Sequence, residues 1–412
     1  MTESLRPSQP IEILLPLPTF SYDRMVEMEL NTRRQLLKDY GIFLSAEAKP
    51  FYIAVDRRWN ILVAYNPDEN FLVFASPKQN GQPTADFLMM STKGYGFVGD
   101  GVSSVFPPPP EIYGKIKNLG VPPERPDSFF QLLFQRKVFQ LIDPSPGDII
   151  KWINKAIKDF YGQSNISLFE KYLLNLPHLV GTAFCYTPYL RTNEGAIVGT
   201  NESGKFAFEM IGDGVVIVEG HNKSLALFQS KENTPFDQET LQLLENLLQQ
   251  YPNLTLDEVR QLPDFTTHLQ ESYRRKLNQV GGVRAINGIS PFFHPLSVSI
   301  GIDQVAQVLI STDGVFLGCD PLSIYQGIFS GINFNNDGSA IVSEILRRLI
   351  EIKQEQINRY SAQNQTRRVI QEKPTDDWCG LLIRFPTLPI CDTHLYLDEI
   401  LKKSSTNVYG WV

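Results

Sequence analysis

The chain has few of the residues that build disulfide frameworks, zinc sites and membrane spans. It carries four cysteines in 412 residues, far apart and with no Cys-x-x-Cys pair. This spacing argues against a zinc site or a disulfide framework, and we expect free thiols in a reducing compartment. No apolar run approaches the roughly 18 residues of a membrane-spanning helix, and residues 11–15 are too few and too acidic for a signal peptide. We therefore predict a cytoplasmic protein without a membrane partner.

Positive charge is also scarce. Lysine and arginine number 38 against 45 acidic residues, which gives a net charge of −7. A dedicated nucleic-acid-binding protein would show a basic patch or stripe, so we predict no nucleic-acid partner. The acidic balance fits a protein that binds its own cations, and 42% hydrophobic residues with 26 phenylalanines allow a sizeable core.

Strand-like runs occur in two blocks, each followed by stretches with helical spacing. The first block covers residues 51–99 and the second 180–228, while helical spacing follows at 127–175 and 236–280. This grouping predicts an α+β layered domain rather than alternating βαβ units. We expect an N-terminal extension of unknown role at 1–60, a main domain at 61–390 with a helical insertion around 229–290, and a C-terminal tail at 391–412.

Four short aspartate motifs stand at the edges of strand-like runs. They are Thr84-Ala85-Asp86, Gly99-Asp100-Gly101, Ser311-Thr312-Asp313-Gly314 and Thr375-Asp376-Asp377-Trp378. Carboxylates at neighbouring strand ends can converge on one point, and Mg²⁺ or Mn²⁺ bind carboxylate and water oxygens. A glycine directly after the aspartate permits a tight turn and lets its own carbonyl approach a metal. One Asp-Gly pair alone is an ordinary turn, but the four motifs together predict a metal-assisted hydrolase.

The order of these motifs resembles that of the metal-dependent serine/threonine protein phosphatases of the 2C type, in particular their bacterial branch. Six elements follow the family order: Asp86, Phe97-Val98-Gly99-Asp100-Gly101-Val102, Gly181-Thr182-Ala183, Ile211-Gly212-Asp213-Gly214, Ser311-Thr312-Asp313-Gly314 and Thr375-Asp376-Asp377. The resemblance covers about residues 62–390. It implies a four-layer fold in which two antiparallel β-sheets pack as a sandwich flanked by helices.

The resemblance also implies a site with two Mn²⁺ or Mg²⁺ ions. The implied ligands are Asp86, Asp100, Gly101, Asp313 and Asp376, with Asp213 for a third, weaker ion. In this reading Asp100 bridges both ions, Gly101 offers its carbonyl, and Asp313 and Asp376 complete the shell of one ion. Asp100, Asp313 and Asp376 would then be catalytic, and a metal-activated water would hydrolyse phosphoserine or phosphothreonine. The implied partner is a phosphoprotein substrate in a signalling role.

Departures from the family pattern leave other functions open. The family places an arginine before the first acidic motif to grip the substrate phosphate, whereas this loop offers Lys78, a point charge without a bidentate fork. Ser103-Ser104 stands where relatives often carry two glycines or a histidine, and we expect His294 to be a packed side chain. The alternatives are a weak or inactive phosphatase-like module that binds or regulates a partner, and a hydrolase of another phosphoester. The sequence decides neither the metal nor the oligomeric state.

Overall fold

A computed structural model describes most of the chain. The described residues are 12–14, 22–45, 52–77, 84–102, 110–119, 129–134, 141–162, 177–186, 190–191, 197–198, 204–229, 234–278, 284–288, 295–371, 373–385 and 408–409. Lys78, Ser103-Ser104 and His294 lie outside them, so the expectations about these residues stay predictions.

The described residues form strands and helices in the following order. The strands are β1 Glu12–Leu14, β2 Ile42–Leu44, β3 Tyr52–Asp56, β4 Ile61–Asn66, β5 Phe71–Ser76, β6 Phe87–Ser91, β7 Tyr95–Val102, β8 His178–Tyr186, β9 Leu190–Arg191, β10 Ile197–Val198, β11 Lys205–Ile211, β12 Val215–Gly220, β13 Leu225–Gln229, β14 Leu296–Gly301, β15 Val305–Ser311, β16 Trp378–Arg384 and β17 Val408–Tyr409. The helices are α1 Tyr22–Asp39, α2 Pro110–Asn118, α3 Phe129–Phe134, α4 Pro146–Tyr161, α5 Thr234–Gln250, α6 Leu256–Val259, α7 Pro263–Lys276, α8 Pro321–Phe329 and α9 Gly338–Thr366. Within the described residues, none of these helices combines the length and apolarity needed to cross a lipid bilayer.

The strands form two large sheets and one small hairpin. Sheet A has nine strands in the order β1-β3-β4-β5-β16-β15-β12-β13-β17, and sheet B has six in the order β14-β11-β8-β7-β6-β2. The β2–β6 pair is parallel, and the other strand pairs within the described residues are antiparallel. Strands β9 and β10 pair only with each other.

Both faces of sheet A are buried, which explains why its strands are apolar without alternation. In β16, Leu381 joins the core between the two sheets, whereas the next residue, Leu382, joins the core beneath the helices. Successive side chains point to opposite faces of a strand, so a strand covered on both faces needs apolar residues at every position.

Helices cover the outer face of each sheet. Ile328 of α8 and Leu349 of α9 pack on sheet A, while Phe134 of α3 and Ile153 of α4 pack on sheet B. The resulting helix–sheet–sheet–helix layers confirm the predicted α+β sandwich flanked by helices. The sequence of α4 also sets its own ends: Ser145 forms a capping box with Asp148, and Gly162 ends the helix in a left-handed conformation.

A separate helical lobe, formed by α5, α6 and α7, packs on the C-terminal end of α9. Leu248 and Val259 of the lobe share an apolar cluster with Tyr360 and Val369. The lobe lies within the predicted insertion at 229–290. The first 60 residues contribute β1 and β3 to sheet A and β2 to sheet B. The proposed domain boundaries stay predictions.

Two glycines provide a paired test of the packing. A Cβ on Gly181 of β8 would lie 2.3 Å from the Val98 carbonyl oxygen and 2.8 Å from Gly99 Cα, whereas a Cβ on Gly327 of α8 meets nothing within 4 Å. The backbone atoms of β7 cannot move aside without disturbing the sheet, so we expect Gly181→Ala to lower the free energy of unfolding by about 2 kcal/mol. Gly327→Ala should raise it by about 0.5 kcal/mol. Urea unfolding measures both, and changes of the same sign would contradict the packing described.

The burial of His178 should lower the stability of the folded protein in acid. The side chain is fully buried at the start of β8, and burial lowers its pKa from 6.5 to about 4. The unfolded chain therefore binds this proton more readily, so the associated stability is complete above about pH 6.5 and is lost as the pH falls towards 4. The loss amounts to about 3 kcal/mol. Unfolding of His178→Phe between pH 7 and 4 should lack this part of the decline, whereas the exposed-site control His268→Asn should keep it.

Candidate active site

Strand register brings three aspartates to one end of sheet B. Asp100 of β7 lies opposite Val180 of β8. The first residue of β6, Phe87, lies opposite Gly99, which places the preceding Asp86 beside Asp100. On the other side of β8, Ile211 ends β11 opposite Gly181, and Asp213 follows in the turn to β12.

Sheet A brings two more aspartates to the same end of the sandwich. Ser311 of β15 lies opposite both Val215 of β12 and Gly380 of β16. Asp313 therefore follows the end of β15 where Asp376 precedes the start of β16. Antiparallel neighbours have opposite directions, so the turn after one strand lies beside the segment that leads into the next.

Hydrogen bonds to the Ala85 backbone hold the Asp86 segment between the two sheets. Ala85 N–H donates to Asp377 Oδ2 at 3.1 Å, and the Ala85 carbonyl accepts from Gly101 N–H at 3.1 Å. Asp377 is buried and connects sheet A to this segment. The two bonds fix the position of Asp86 relative to Asp100.

The turn after Asp313 packs directly on the turn that carries Asp376. A Cβ on Gly314 would lie 2.2 Å from the Asp377 carbonyl oxygen and 3.1 Å from Asp376 Cβ. Only glycine permits so close an approach of two backbones. Thr312 N–H donates to the Cys379 carbonyl at 3.0 Å and Cys379 N–H donates to Thr312 Oγ1 at 3.1 Å, so the two segments are also joined by hydrogen bonds.

Two buried glutamines, one in α9 and one after it, form hydrogen bonds with the segments that follow Asp313 and precede Asp376. Gln356 Nε2 donates to the carbonyls of Gly314 and Val315 at 3.1 and 3.0 Å. Gln371 Nε2 donates to the carbonyls of Gln356 and Lys373 at 3.1 and 3.0 Å. Both glutamines are almost completely buried, where each hydrogen bond is electrostatically stronger than in water. They anchor the residues immediately after Asp313 and those before Asp376.

Burial and neighbouring charges raise the pKa of Asp100 and Asp313. Burial, with the charges of Asp213 and Asp376, raises the pKa of Asp100 to about 7. Burial raises the pKa of Asp313 well above its ordinary value, and Asp213, Asp100 and Asp376 add to this. Burial and neighbouring negative charges both disfavour the ionised form of these groups. A positive charge bound at the site would therefore stabilise the carboxylates.

Asp86 and Asp100 also interact directly. Burial is the largest cause that raises the pKa of Asp86 well above its ordinary range, and the charges of Asp100, Asp377 and Asp376 follow. The two carboxyl groups share a hydrogen bond that raises the pKa of Asp86 and lowers that of Asp100. Two close carboxyl groups cannot both ionise easily, so the pair at Asp86 and Asp100 favours a nearby positive charge.

Two lysines lie near the aspartates. Lys373 forms an ion pair with Asp376 Oδ2, and its charge also acts on Asp100 and Asp313. Lys353 of α9 lies near Asp377, but its Nζ donates to Ser76 Oγ at 2.5 Å and to the Trp59 carbonyl at 2.7 Å. Burial lowers the pKa of Lys353 to about 8, against the charge of Asp377.

The donor set fits a hard divalent cation in kind. Carboxylate oxygens and the Gly101 carbonyl are the ligands that Mg²⁺ and Mn²⁺ prefer, and their mutual repulsion is the condition that a bound cation relieves. Among the described residues, no three His, Cys, Asp or Glu side chains stand close enough together to form a ready-made metal cluster. The site is therefore a gathering of carboxylates without a formed coordination shell.

Several solved structures resemble this chain in fold at low sequence identity. No family model and no curated protein matches the chain. Solved structures similar in fold include a bacterial serine phosphatase (10% identity, TM-score 0.37, covering 78% of this chain and 100% of that one). Another is serine/threonine phosphatase Stp1 from Staphylococcus aureus (11%, 0.37, 77% and 94%). The chain is similar to bacterial serine/threonine phosphatases.

A third similar structure is the catalytic domain of serine threonine protein phosphatase PstP in complex with two manganese ions (12% identity, TM-score 0.34, covering 76% of this chain and 96% of that one). These are proteins of the family that the motif order resembles. Identities and TM-scores this low assign neither an activity nor a metal to the chain.

The structure brings the predicted aspartates together and adds residues that sequence reasoning missed. Asp86, Asp100, Asp213, Asp313 and Asp376 act on one another at one end of the sandwich. Their roles as ligands stay predictions. The missed residues are Lys353, Gln356, Gln371 and Lys373. Lys373 had a detectable signal, because it is a basic residue three positions before Asp376, whereas the others become recognisable only through tertiary contacts.

Gln356→Met should loosen the turn after Asp313 while it keeps the volume of the side chain. Loss of two buried hydrogen bonds should lower the free energy of unfolding by about 2 kcal/mol and speed amide hydrogen exchange at residues 314–317. The matched control is Gln307→Met. Gln307 lies in β15, and its Nε2 also donates two buried hydrogen bonds, to Glu219 and to Tyr325. The control should lose stability without faster exchange at 314–317; equal exchange in both variants would contradict a specific hold by Gln356.

Proposed function

We propose that the chain is a metal-dependent hydrolase of phosphoserine and phosphothreonine on proteins. The observation that carries the proposal is the convergence of five aspartates, from both sheets, on one end of the sandwich. A structural turn needs no neighbouring carboxylates, and burying several together is costly unless cations offset the charge. The motif order supports the choice of phosphoprotein substrates, and cytoplasmic signalling is part of the proposal.

The residues have distinct proposed roles. Asp100, held in β7, the Gly101 carbonyl, Asp313 and Asp376 would hold two Mn²⁺ or Mg²⁺ ions. Asp213 would serve a third, weaker ion. When bound, such a pair of ions supplies positive charge for the phosphoryl group and activates water for attack. Asp86 would sit nearby and hold metal-bound water through hydrogen bonds.

A binding module without turnover is the second candidate. The ion pair between Lys373 and Asp376 favours it, because the ammonium neutralises part of the carboxylate charge without a metal ion. A role for Lys78 in gripping the phosphate stays a prediction, as does hydrolysis of a different phosphoester. Turnover in the presence of Mn²⁺ separates these candidates, since a hydrolase of either kind releases phosphate and a binding module does not.

Hydrolysis of a phosphothreonine peptide with Mn²⁺ tests the proposal. We expect the wild type to release phosphate, a chelator to abolish release, and Asp100→Asn and Asp313→Asn each to lower kcat by at least about 100-fold, because each removes a carboxylate that would hold the ions. Asp303→Asn is the matched control, since Asp303 is exposed near the far end of β15, and its activity should equal that of the wild type.

Three results would redirect the proposal. Turnover of a small phosphoester without turnover of the peptide would favour another phosphoester as substrate. Mn²⁺ binding measured by calorimetry without turnover of either would favour the binding module. Turnover that persists in Asp100→Asn and Asp313→Asn would contradict the proposed site.

A further inference from the structure

Lys373 places an ammonium group within the aspartate cluster. It forms an ion pair with Asp376 Oδ2, and the two side chains are only 25% and 21% exposed. Its charge also acts on Asp100 and Asp313, which come from the other sheet and the neighbouring strand. One lysine therefore opposes carboxylates on three separate segments.

The backbone around Lys373 is fixed, so the ion pair is part of the fold rather than of a loose surface. Gln371 Nε2 donates to the Lys373 carbonyl at 3.0 Å and lies 3.5 Å from the Pro374 carbonyl. Gln371 itself is buried, and its own backbone carbonyl accepts from Gln363 Nε2 at 2.8 Å. Pro374 restricts the chain further. These contacts hold the backbone at Lys373, three residues before Asp376.

The ammonium and a divalent cation would compete for the same oxygen. Asp376 Oδ2 can accept the ammonium or face a metal ion, and two cations at one carboxylate oxygen repel each other. The nearby Lys353 is engaged elsewhere, by Ser76 and the Trp59 carbonyl. We propose that Lys373 is a built-in counter-ion that stabilises the aspartate cluster in the ion-free protein and is displaced from Asp376 when a divalent cation binds. The displacement rests on the proposed function, whereas the stabilisation of the ion-free protein does not.

Lys373→Met tests this with two readouts of opposite sign. In a chelator, the variant should unfold at lower urea concentration than the wild type, because carboxylate repulsion is no longer offset. In a calorimetric titration, it should bind Mn²⁺ at least about five-fold more tightly, because the competing cation is gone. A lysine that only supports the structure would weaken both. Weaker or unchanged Mn²⁺ binding by the variant would overturn the competition.

The matched control is Lys151→Met. Lys151 forms an ion pair of the same spacing with Asp148, at 3.8 Å on the exposed start of α4, and its loss should change neither readout measurably. Lys373→Arg serves as a second variant if Lys373→Met does not fold. It keeps the positive charge and pairs with carboxylates in a bidentate way, so it should preserve stability in chelator and bind Mn²⁺ more weakly than the wild type does.

A third experiment keeps this inference distinct from the proposed function. The stability lost in Lys373→Met should shrink in an Asp376→Asn background, as a double-mutant cycle measures for two groups in contact. If the wild type binds no Mn²⁺, the proposed metal site and the competition both fail, and the cycle alone decides the counter-ion role. Equal losses in both backgrounds would overturn that role as well.

Discussion

Repulsion among aspartate carboxylates at one end of the sandwich is the constraint on which the rest of the site depends. The carboxylates do not attract one another, so the surrounding backbone has to hold them in place. Strand register places Asp100 at one end of sheet B and the segments that carry Asp313 and Asp376 at one end of sheet A, and the Ala85 backbone joins the two sheets. The Lys373 ammonium offsets part of the repulsion. In the proposed function, bound cations would offset more of it.

The same arrangement accounts for both the hydrolase and the binding module, and the state of the cations separates them. In the proposed hydrolase, the carboxylates would hold divalent ions, which would supply the positive charge that phosphoryl transfer needs. In the ion-free protein, the Lys373 ammonium offsets part of the negative charge. The helical lobe packs on the end of α9 that continues into the glutamine contacts.

Sequence reasoning predicted the α+β sandwich because it depends on local signals: apolar runs mark strands that are buried on both faces. An aspartate with a following glycine is an ordinary turn signal, and Asp313-Gly314 does follow the end of β15, whereas Asp100 and Gly101 lie within β7. Gln356 could not be predicted, since a glutamine in a helix of 29 residues looks solvated until its contact with Gly314 is known. The joining of β1, β2 and β3 to the two sheets likewise depends on pairings that no local pattern specifies.

Anomalous diffraction at the manganese edge, from crystals grown with Mn²⁺, tests the central claim most directly. The account predicts peaks in contact with the carboxylates of Asp100, Asp313 and Asp376, and a Lys373 ammonium that has left Asp376. Crystals with no peak among these aspartates, and with the ion pair between Lys373 and Asp376 intact, would contradict the claim that the cluster is a cation site.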